Sequence, residues 1–136
     1  MIRKATAIWQ GTGKEGKGTL STPSTVLDNT QYSFSSRFES GVGTNPEELV
    51  AAAHAGCFAM KLSFNLTEAG FSPEELDVTS NITFEEGTLK KSHLLMKAKV
   101  EGIEEAKFAE LVKDAEENCP ISRALNMEIT VEYTLN

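Results

Sequence analysis

Polar and apolar residues alternate in the first forty positions, which is the pattern of half-buried β-strands. Strands are predicted over 5–9 and 17–20, joined by a hairpin turn in the glycine-rich stretch 11–16. A third strand is predicted over 32–38. It would place the aromatic side chains of this segment on one face and Arg37 on the other.

A long helix follows, and its start is marked by several local signals. Asn45 or Thr44 can cap it, Pro46 suits the first helical position, and two glutamates complement the positive end of the helix dipole. The helix is expected to end before Gly70. One stripe of this helix consists of Leu49, Val50, Ala53, Cys57, Met60 and Phe64. Because other apolar residues fill most of the remainder, the helix must be buried, inside a sheet or between subunits.

The second half of the chain predicts two strands, a helix and a last strand. The strands are expected over 77–84 and 92–100, separated by a turn at 85–88. A helix is expected over 103–118 and the final strand over 127–135. The order of elements, with strands and helices partly segregated, predicts an α+β fold.

Composition and charge narrow the class of protein. A chain of 136 residues with 40% hydrophobic and 24% charged residues can form one folded domain over 1–136. A net charge of −7 without a basic run argues against nucleic-acid binding. No apolar stretch reaches the roughly 20 residues that a membrane span requires. The start of the chain lacks the apolar block of a secretory signal, so we expect a cytoplasmic protein.

Two cysteines, Cys57 and Cys119, are too few for a disulfide scaffold and are expected as free thiols in a reducing compartment. A disulfide between them would be transient, in a catalytic or a sensing cycle. Cys57 lies about 18 Å along the helix from Asn45, so the helix dipole cannot lower its pKa. A reactive Cys57 would need a positive side chain from another element; otherwise it is a small buried apolar residue.

Arg37 is the candidate for that positive charge, because a guanidinium keeps its proton beside a thiolate. The alternative is an ordinary surface arginine. Glu47 could orient Arg37 through a bidentate pair, but Glu47 is about 15 Å from Cys57 on a straight helix. If both belong to one site, a second subunit would supply the glutamate. His54, one turn before Cys57, is interpreted as structural.

Metal and nucleotide sites have no support in the sequence. His54 and Cys57 form an HxxC pair, but the paired short spacings of structural zinc are missing. Phosphate-binding loops and serine nucleophile elbows are missing too. We therefore expect a thiol mechanism without a cofactor or a metal.

Three segments of the chain closely resemble the osmotically inducible protein C (OsmC) family of thiol peroxidases. They are GTNPEELVAAAHAGCFAMKLS, the upstream YSFSSRFE and the downstream CPISRAL. HAGCF in combination with NCPIS is the specific part, and the similarity extends over almost the whole chain. It is greater to the OsmC branch than to the organic hydroperoxide resistance branch.

The resemblance implies an OsmC-like fold, in which antiparallel sheets wrap a long central helix in an intertwined homodimer. It also implies that Cys57 attacks the peroxide, that Cys119 resolves the sulfenic acid as a disulfide, and that an Arg37–Glu47 pair lies near the attacking sulfur.

The implied substrates are organic hydroperoxides, and more weakly hydrogen peroxide, with an external dithiol as reductant. Phe34, Phe58 and Met60 could line an apolar substrate pocket. The alternative is a non-enzymatic protein of the same fold that binds an apolar ligand or senses oxidants.

Overall fold

The computed structural model of the protein describes residues 1–136 and divides them into two units, Met1–Leu49 (unit 1) and Val50–Asn136 (unit 2). The single domain expected from the chain length stays a prediction. Each unit contains one three-stranded sheet.

The sheet of unit 1 consists of β1 (Thr6–Gln10), β2 (Lys17–Ser21) and β3 (Thr30–Tyr32). All neighbouring strands are antiparallel. Gln10 pairs with Lys17 across the turn. The predicted hairpin is therefore confirmed, with each strand within a residue or two of its expected bounds.

The strand predicted over 32–38 is wrong. It ends at Tyr32, and Phe34–Phe38 forms a short helix, α1. Ser33 and Ser36 make a capping box, in which the Ser33 side chain accepts from the Ser36 backbone and the Ser36 hydroxyl accepts from the Ser33 backbone. The rings of Phe34 and Phe38 lie 5.0 Å apart, because four residues make one turn of a helix.

The long helix α2 spans Pro46–Glu68, as predicted. The Asn45 side-chain oxygen accepts a hydrogen bond from the Glu48 backbone at 2.8 Å and caps the helix start. Gly70 has a φ of +91°, the left-handed conformation that ends many helices. All these signals are local, which is why the sequence predicts them well.

The buried face of α2 is not the stripe singled out from the sequence. It is formed by His54, Phe58, Leu62, Asn65 and Leu66. In the predicted stripe, Met60 is 64% exposed and Phe64 is 61% exposed. Since the helix is apolar nearly all round, the pattern alone does not reveal which face meets the sheet.

By length and composition α2 could cross a membrane, so the statement that no stretch of the chain could do so is wrong. The core helix of a soluble protein passes the same test. His54 and Asn65, moreover, hydrogen-bond within the chain. Its length and composition therefore do not assign α2 to a membrane.

The sheet of unit 2 consists of β4 (Glu75–Glu85), β5 (Thr88–Lys99) and β6 (Glu128–Leu135). Glu86 and Gly87 both have positive φ and form a two-residue hairpin turn between β4 and β5. β5 and β6 are parallel, which corrects the expectation of purely antiparallel sheets.

Two helices connect the parallel strands β5 and β6. α3 spans Glu105–Asn118 and α4 spans Pro120–Ala124. Such a crossover is required because parallel neighbours cannot be joined by a hairpin. The five-residue helix α4 was not predicted; it begins directly after Cys119, with Pro120 in its first turn.

The hydrophobic core lies in unit 2. Its buried members come from α2, β5, α3 and the segments that flank them. They are Phe58, Leu62, Leu66, Leu94, Met96, Ala98, Val100, Ile103, Phe108, Leu111, Val112, Ala115 and Cys119. None of them belongs to unit 1, where the buried residues are Gly18, Ser36 and Thr44. The core therefore packs against one face of the helix that carries Cys57.

Candidate active site

The two cysteines of the chain are in contact. Cys57 is half-buried on α2, and Cys119, which is fully buried, lies between α3 and α4. Both are free thiols; Cys57 packs against the core cluster that contains Cys119, and Cys119 is close enough to raise the pKa of the Cys57 thiol. Fold topology thus brings together two residues that are 62 positions apart in the sequence. Their roles as attacking and resolving thiols stay predictions.

The turn that opens α4 contacts both sulfurs. The Ser122 backbone N–H donates to the Cys119 sulfur at 3.5 Å. The backbone of Ile121 makes a hydrogen bond to Cys57 that lowers the pKa of its thiol. The segment 119–122 therefore contains one of the two thiols and lies against both. The CPIS motif alone does not predict this arrangement.

The surroundings of Cys57 in unit 2 favour the protonated form of its thiol. Burial raises the pKa of the Cys57 thiol, the hydrogen bond with Cys119 raises it further, and Ile121 opposes both. The net pKa lies above its ordinary value. Since the thiolate is the nucleophile, reaction at neutral pH requires a positive group in addition to these contacts.

His54 occupies the core beside the thiols. It is fully buried, and its Nδ1 lies 2.6 Å from the Ser92 hydroxyl while its Nε2 lies 2.8 Å from the Ser122 hydroxyl. Ser92 in turn lies 2.9 Å from the hydroxyl of Ser80. Burial lowers the pKa of the imidazole, so His54 is neutral near pH 7. Its burial agrees with the interpretation of His54 as structural, but the sequence does not predict its serine partners.

Unit 1 places Arg37 next to Glu47. Ser36 connects their two helices, because its hydroxyl donates to the Thr44 carbonyl at 2.8 Å and its own carbonyl accepts from the Asn45 amide at 3.3 Å. Arg37, the next residue on α1, is thereby directed to the first turn of α2.

The Arg37–Glu47 pair forms within one chain. Arg37 Nε and Nη2 both donate to Glu47 Oε1, at 2.8 and 2.7 Å. The side chains are 37% and 17% exposed, and Glu47 Oε2 is buried without a hydrogen-bond partner. The pair is therefore not a fork across both carboxylate oxygens. That a second subunit supplies this glutamate to the site of Cys57 stays a prediction. Whether Arg37 acts on Cys57 stays a prediction.

An aromatic cavity of about 290 Å³ lies in unit 1 beside this ion pair. Its lining residues include Trp9, Tyr32, Phe34, Arg37 and Phe38. Phe34 thus lines a cavity, and its place in a substrate pocket stays a prediction.

Phe58 belongs to the buried core of unit 2, so its predicted place in a substrate pocket is wrong. Met60 is mostly exposed on α2. No group of three or more His, Cys, Asp or Glu side chains is placed to hold a metal ion.

Comparisons with known proteins agree on one family. The profile of the OsmC-like protein family matches residues 39–134. The chain is 43% identical to peroxiredoxin OsmC of Escherichia coli, across 98% of this chain and 96% of the relative.

Solved structures share the fold. An OsmC-like protein of Mycoplasma pneumoniae superposes with a TM-score of 0.74 at 14% identity, covering 99% of this chain and 97% of the other. The organic hydroperoxide resistance protein OhrB of Bacillus subtilis has a TM-score of 0.64 at 25% identity, covering 98% of both chains.

Proposed function

Because the chain belongs to the OsmC-like protein family, we propose that it is a thiol peroxidase that reduces organic hydroperoxides through Cys57 and Cys119. The peroxidase class rests on the 43% identity to a peroxiredoxin over nearly the full length of both chains. Relatives named for organic hydroperoxide resistance support the substrate class. Hydrogen peroxide would be a poorer substrate.

The contact between the two thiols is the observation that carries the mechanism. Cys57 and Cys119 are both free, and the fold brings Cys119 close enough to raise the pKa of the Cys57 thiol, so the pair is placed to form a disulfide in the catalytic cycle.

In the first step the Cys57 thiolate attacks the distal oxygen of ROOH. A sulfur–oxygen bond forms, the oxygen–oxygen bond breaks, and the electron pair leaves with the alkoxide, which takes up a proton to give ROH. Cys57 becomes a sulfenic acid. The peroxide is thereby reduced by two electrons.

In the second step the Cys119 thiol condenses with the sulfenic acid. The sulfur–sulfur bond forms as the sulfur–oxygen bond breaks, and hydroxide leaves with the Cys119 proton as water. An external dithiol then reduces the disulfide by exchange and is itself oxidised to a disulfide. A reducing compartment such as the cytoplasm would supply that reductant.

Arg37 is assigned to activating Cys57, since the contacts of Cys57 within unit 2 raise the pKa of its thiol. A guanidinium favours the thiolate and offsets the charge that develops on the departing oxygen. Glu47 holds the guanidinium in a fixed orientation by accepting from two of its N–H groups. The aromatic cavity beside Arg37 offers apolar surface to the organic part of the substrate.

The working form is proposed to be a homodimer. The exposed residues Met60 and Phe64 lie on a helix whose opposite face is already buried, and unit 1 buries no apolar side chain. Large exposed apolar faces of this kind mark interfaces. Sedimentation of the purified protein should therefore show twice the mass of the 14.8 kDa chain.

Turnover tests the proposal. Cumene hydroperoxide and excess dithiothreitol should be consumed over many equivalents per protein chain. Cys57→Ser should lose this activity entirely, and Cys119→Ser should react once and then accumulate sulfinic acid. A single stoichiometric oxidation without turnover would instead identify a redox sensor. Unaltered peroxide consumption by Cys57→Ser would refute the assignment of the attacking thiol.

A further inference from the structure

The buried His54 takes part in none of the steps above. We propose that His54 is a positioning residue for the second step: through Ser122 it holds the segment 119–122 in place, so that Cys119 captures the Cys57 sulfenic acid before a second peroxide does. This inference rests on the proposed thiol peroxidase function.

Two contacts in sequence connect His54 with the resolving sulfur. His54 Nε2 lies 2.8 Å from the Ser122 hydroxyl, and the Ser122 backbone N–H donates to Cys119 at 3.5 Å. His54 itself lies one helical turn before Cys57 on α2. The imidazole therefore ties the element that carries one thiol to the element that carries the other.

The second nitrogen of the imidazole anchors it to the sheet. Nδ1 lies 2.6 Å from the hydroxyl of Ser92 on β5, which lies 2.9 Å from the hydroxyl of Ser80 on β4. A neutral imidazole has one N–H and one lone pair, so it donates to one serine and accepts from the other. Both serines then have fixed roles, and the buried ring has a unique orientation.

The position of Cys119 decides between two competing reactions. Condensation with Cys119 forms the disulfide and releases water. Attack of the sulfenic acid on a second ROOH instead yields sulfinic acid and ROH, which is irreversible without a dedicated reductase. A fixed Cys119 raises the effective concentration of the resolving thiol, whereas a loosened segment 119–122 favours the second peroxide.

Two pairs of variants separate the two sides of the imidazole. Ser122→Ala removes the contact to the resolving segment, and Ser92→Ala removes the contact to the sheet. His54→Gln keeps a polar atom near the Nε2 position, whereas His54→Asn keeps one near Nδ1. Each variant deletes one buried hydrogen bond of the same histidine, and Ser92→Ala deletes the contact with Ser80 as well, so the control Ser92→Ala loses at least as many hydrogen bonds as Ser122→Ala.

The experiment measures the ratio of disulfide to sulfinic acid by mass spectrometry after one dose of cumene hydroperoxide. Ser122→Ala and His54→Asn should raise the sulfinic fraction on the order of five- to tenfold, the equivalent of one hydrogen bond. Ser92→Ala and His54→Gln should stay within about twofold of the parent in this ratio, given the retained contact to Ser122.

An equal rise in all four variants would overturn the proposal, because it would show general loosening of the core. An unchanged ratio in Ser122→Ala would overturn it as well. Failure of the underlying function is recognised separately: the parent protein itself would then form no sulfenic acid or disulfide with peroxide.

Discussion

The two units differ in where their apolar side chains lie. Unit 2 has thirteen buried apolar residues, whereas unit 1 has none. A segment of about fifty residues without a buried core cannot offset its own loss of conformational entropy. We therefore expect unit 1 to be stable only when a partner covers apolar surface that is exposed in the single chain. Unit 2 has its own core and is expected to be stable without such a partner.

The polar groups of the two units differ in the same way. The Arg37–Glu47 pair is charged, partly exposed and formed between residues ten positions apart. The cluster around His54 is neutral and buried, and its partners lie 38 and 68 positions away. Local contacts fix the first arrangement, and only the completed fold of unit 2 fixes the second.

The largest expected effect is on the core of unit 2. Phe108→Ala should lower the free energy of unfolding by about 3–5 kcal/mol, since a fully buried ring is lost. In unit 1, Ile8 is 54% exposed in the single chain, and Ile8→Ala should cost less than about 0.5 kcal/mol under conditions in which the protein is a monomer. Urea denaturation measures both. A cost above 2 kcal/mol for Ile8→Ala would show that a partner covers this face in solution.

The charged pair is tested by Arg37→Ala, which should slow the reaction with cumene hydroperoxide on the order of 10²–10³-fold. It should also move the pH profile of Cys57 alkylation to higher pH, because the thiolate loses its positive partner. Arg37→Lys keeps the charge without the planar donors and should recover only part of the rate. An unchanged alkylation profile in Arg37→Ala would remove the activating role.

The pH dependence of the unfolding free energy tests the neutral cluster around His54. The pKa of His54 is lowered in the folded protein, so the unfolded chain binds the proton more readily. The stabilisation due to the neutral imidazole should be complete above the ordinary pKa of about 6.5 and decrease as the pH falls below it. His54→Gln should flatten the pH dependence of unfolding free energy between pH 7 and 5. A parent protein equally stable at both pH values would contradict this assignment.

The smallest effect concerns the short helix α1. Ser33→Ala removes its capping box and should cost about 1 kcal/mol of local stability. Hydrogen exchange of the Arg37 amide, which bonds to the Ser33 carbonyl, should become faster. The amides of α3, which has no side-chain cap to lose, serve as the internal reference.

The features of this structure that depend on local contacts can be predicted from the sequence better than those that depend on long-range contacts. α2 is predicted because Asn45, Pro46 and Gly70 act within a few residues of the helix ends. α1 was missed because alternation of aromatic and polar residues outweighed the weaker signal of Ser33 and Ser36. The family resemblance suggested both thiols and the ion pair, but no periodicity could reveal that they fold into different units.

The long-range contacts are less accessible to prediction. The parallel pairing of β6 with β5 and the two serines that hold His54 depend on how distant segments meet. HAGC and CPIS contain His54 and Ser122, yet spacing within either motif says nothing of a contact between them. Whether His54 and Ser122 meet depends on which side chains the assembled fold buries together.

The crossover between β5 and β6 also has a consequence for the protein during its synthesis. Cys119 lies in this connection, 62 residues after Cys57. At about 5–20 residues per second, the ribosome adds the second cysteine roughly 3–12 s after the first. Throughout that interval the nascent chain carries Cys57 without the cysteine proposed to resolve it, and any thiolate oxidised then would depend on cellular thiols for reduction. The final fold places Cys119 near this sulfur, whereas during translation Cys57 depends on its surroundings.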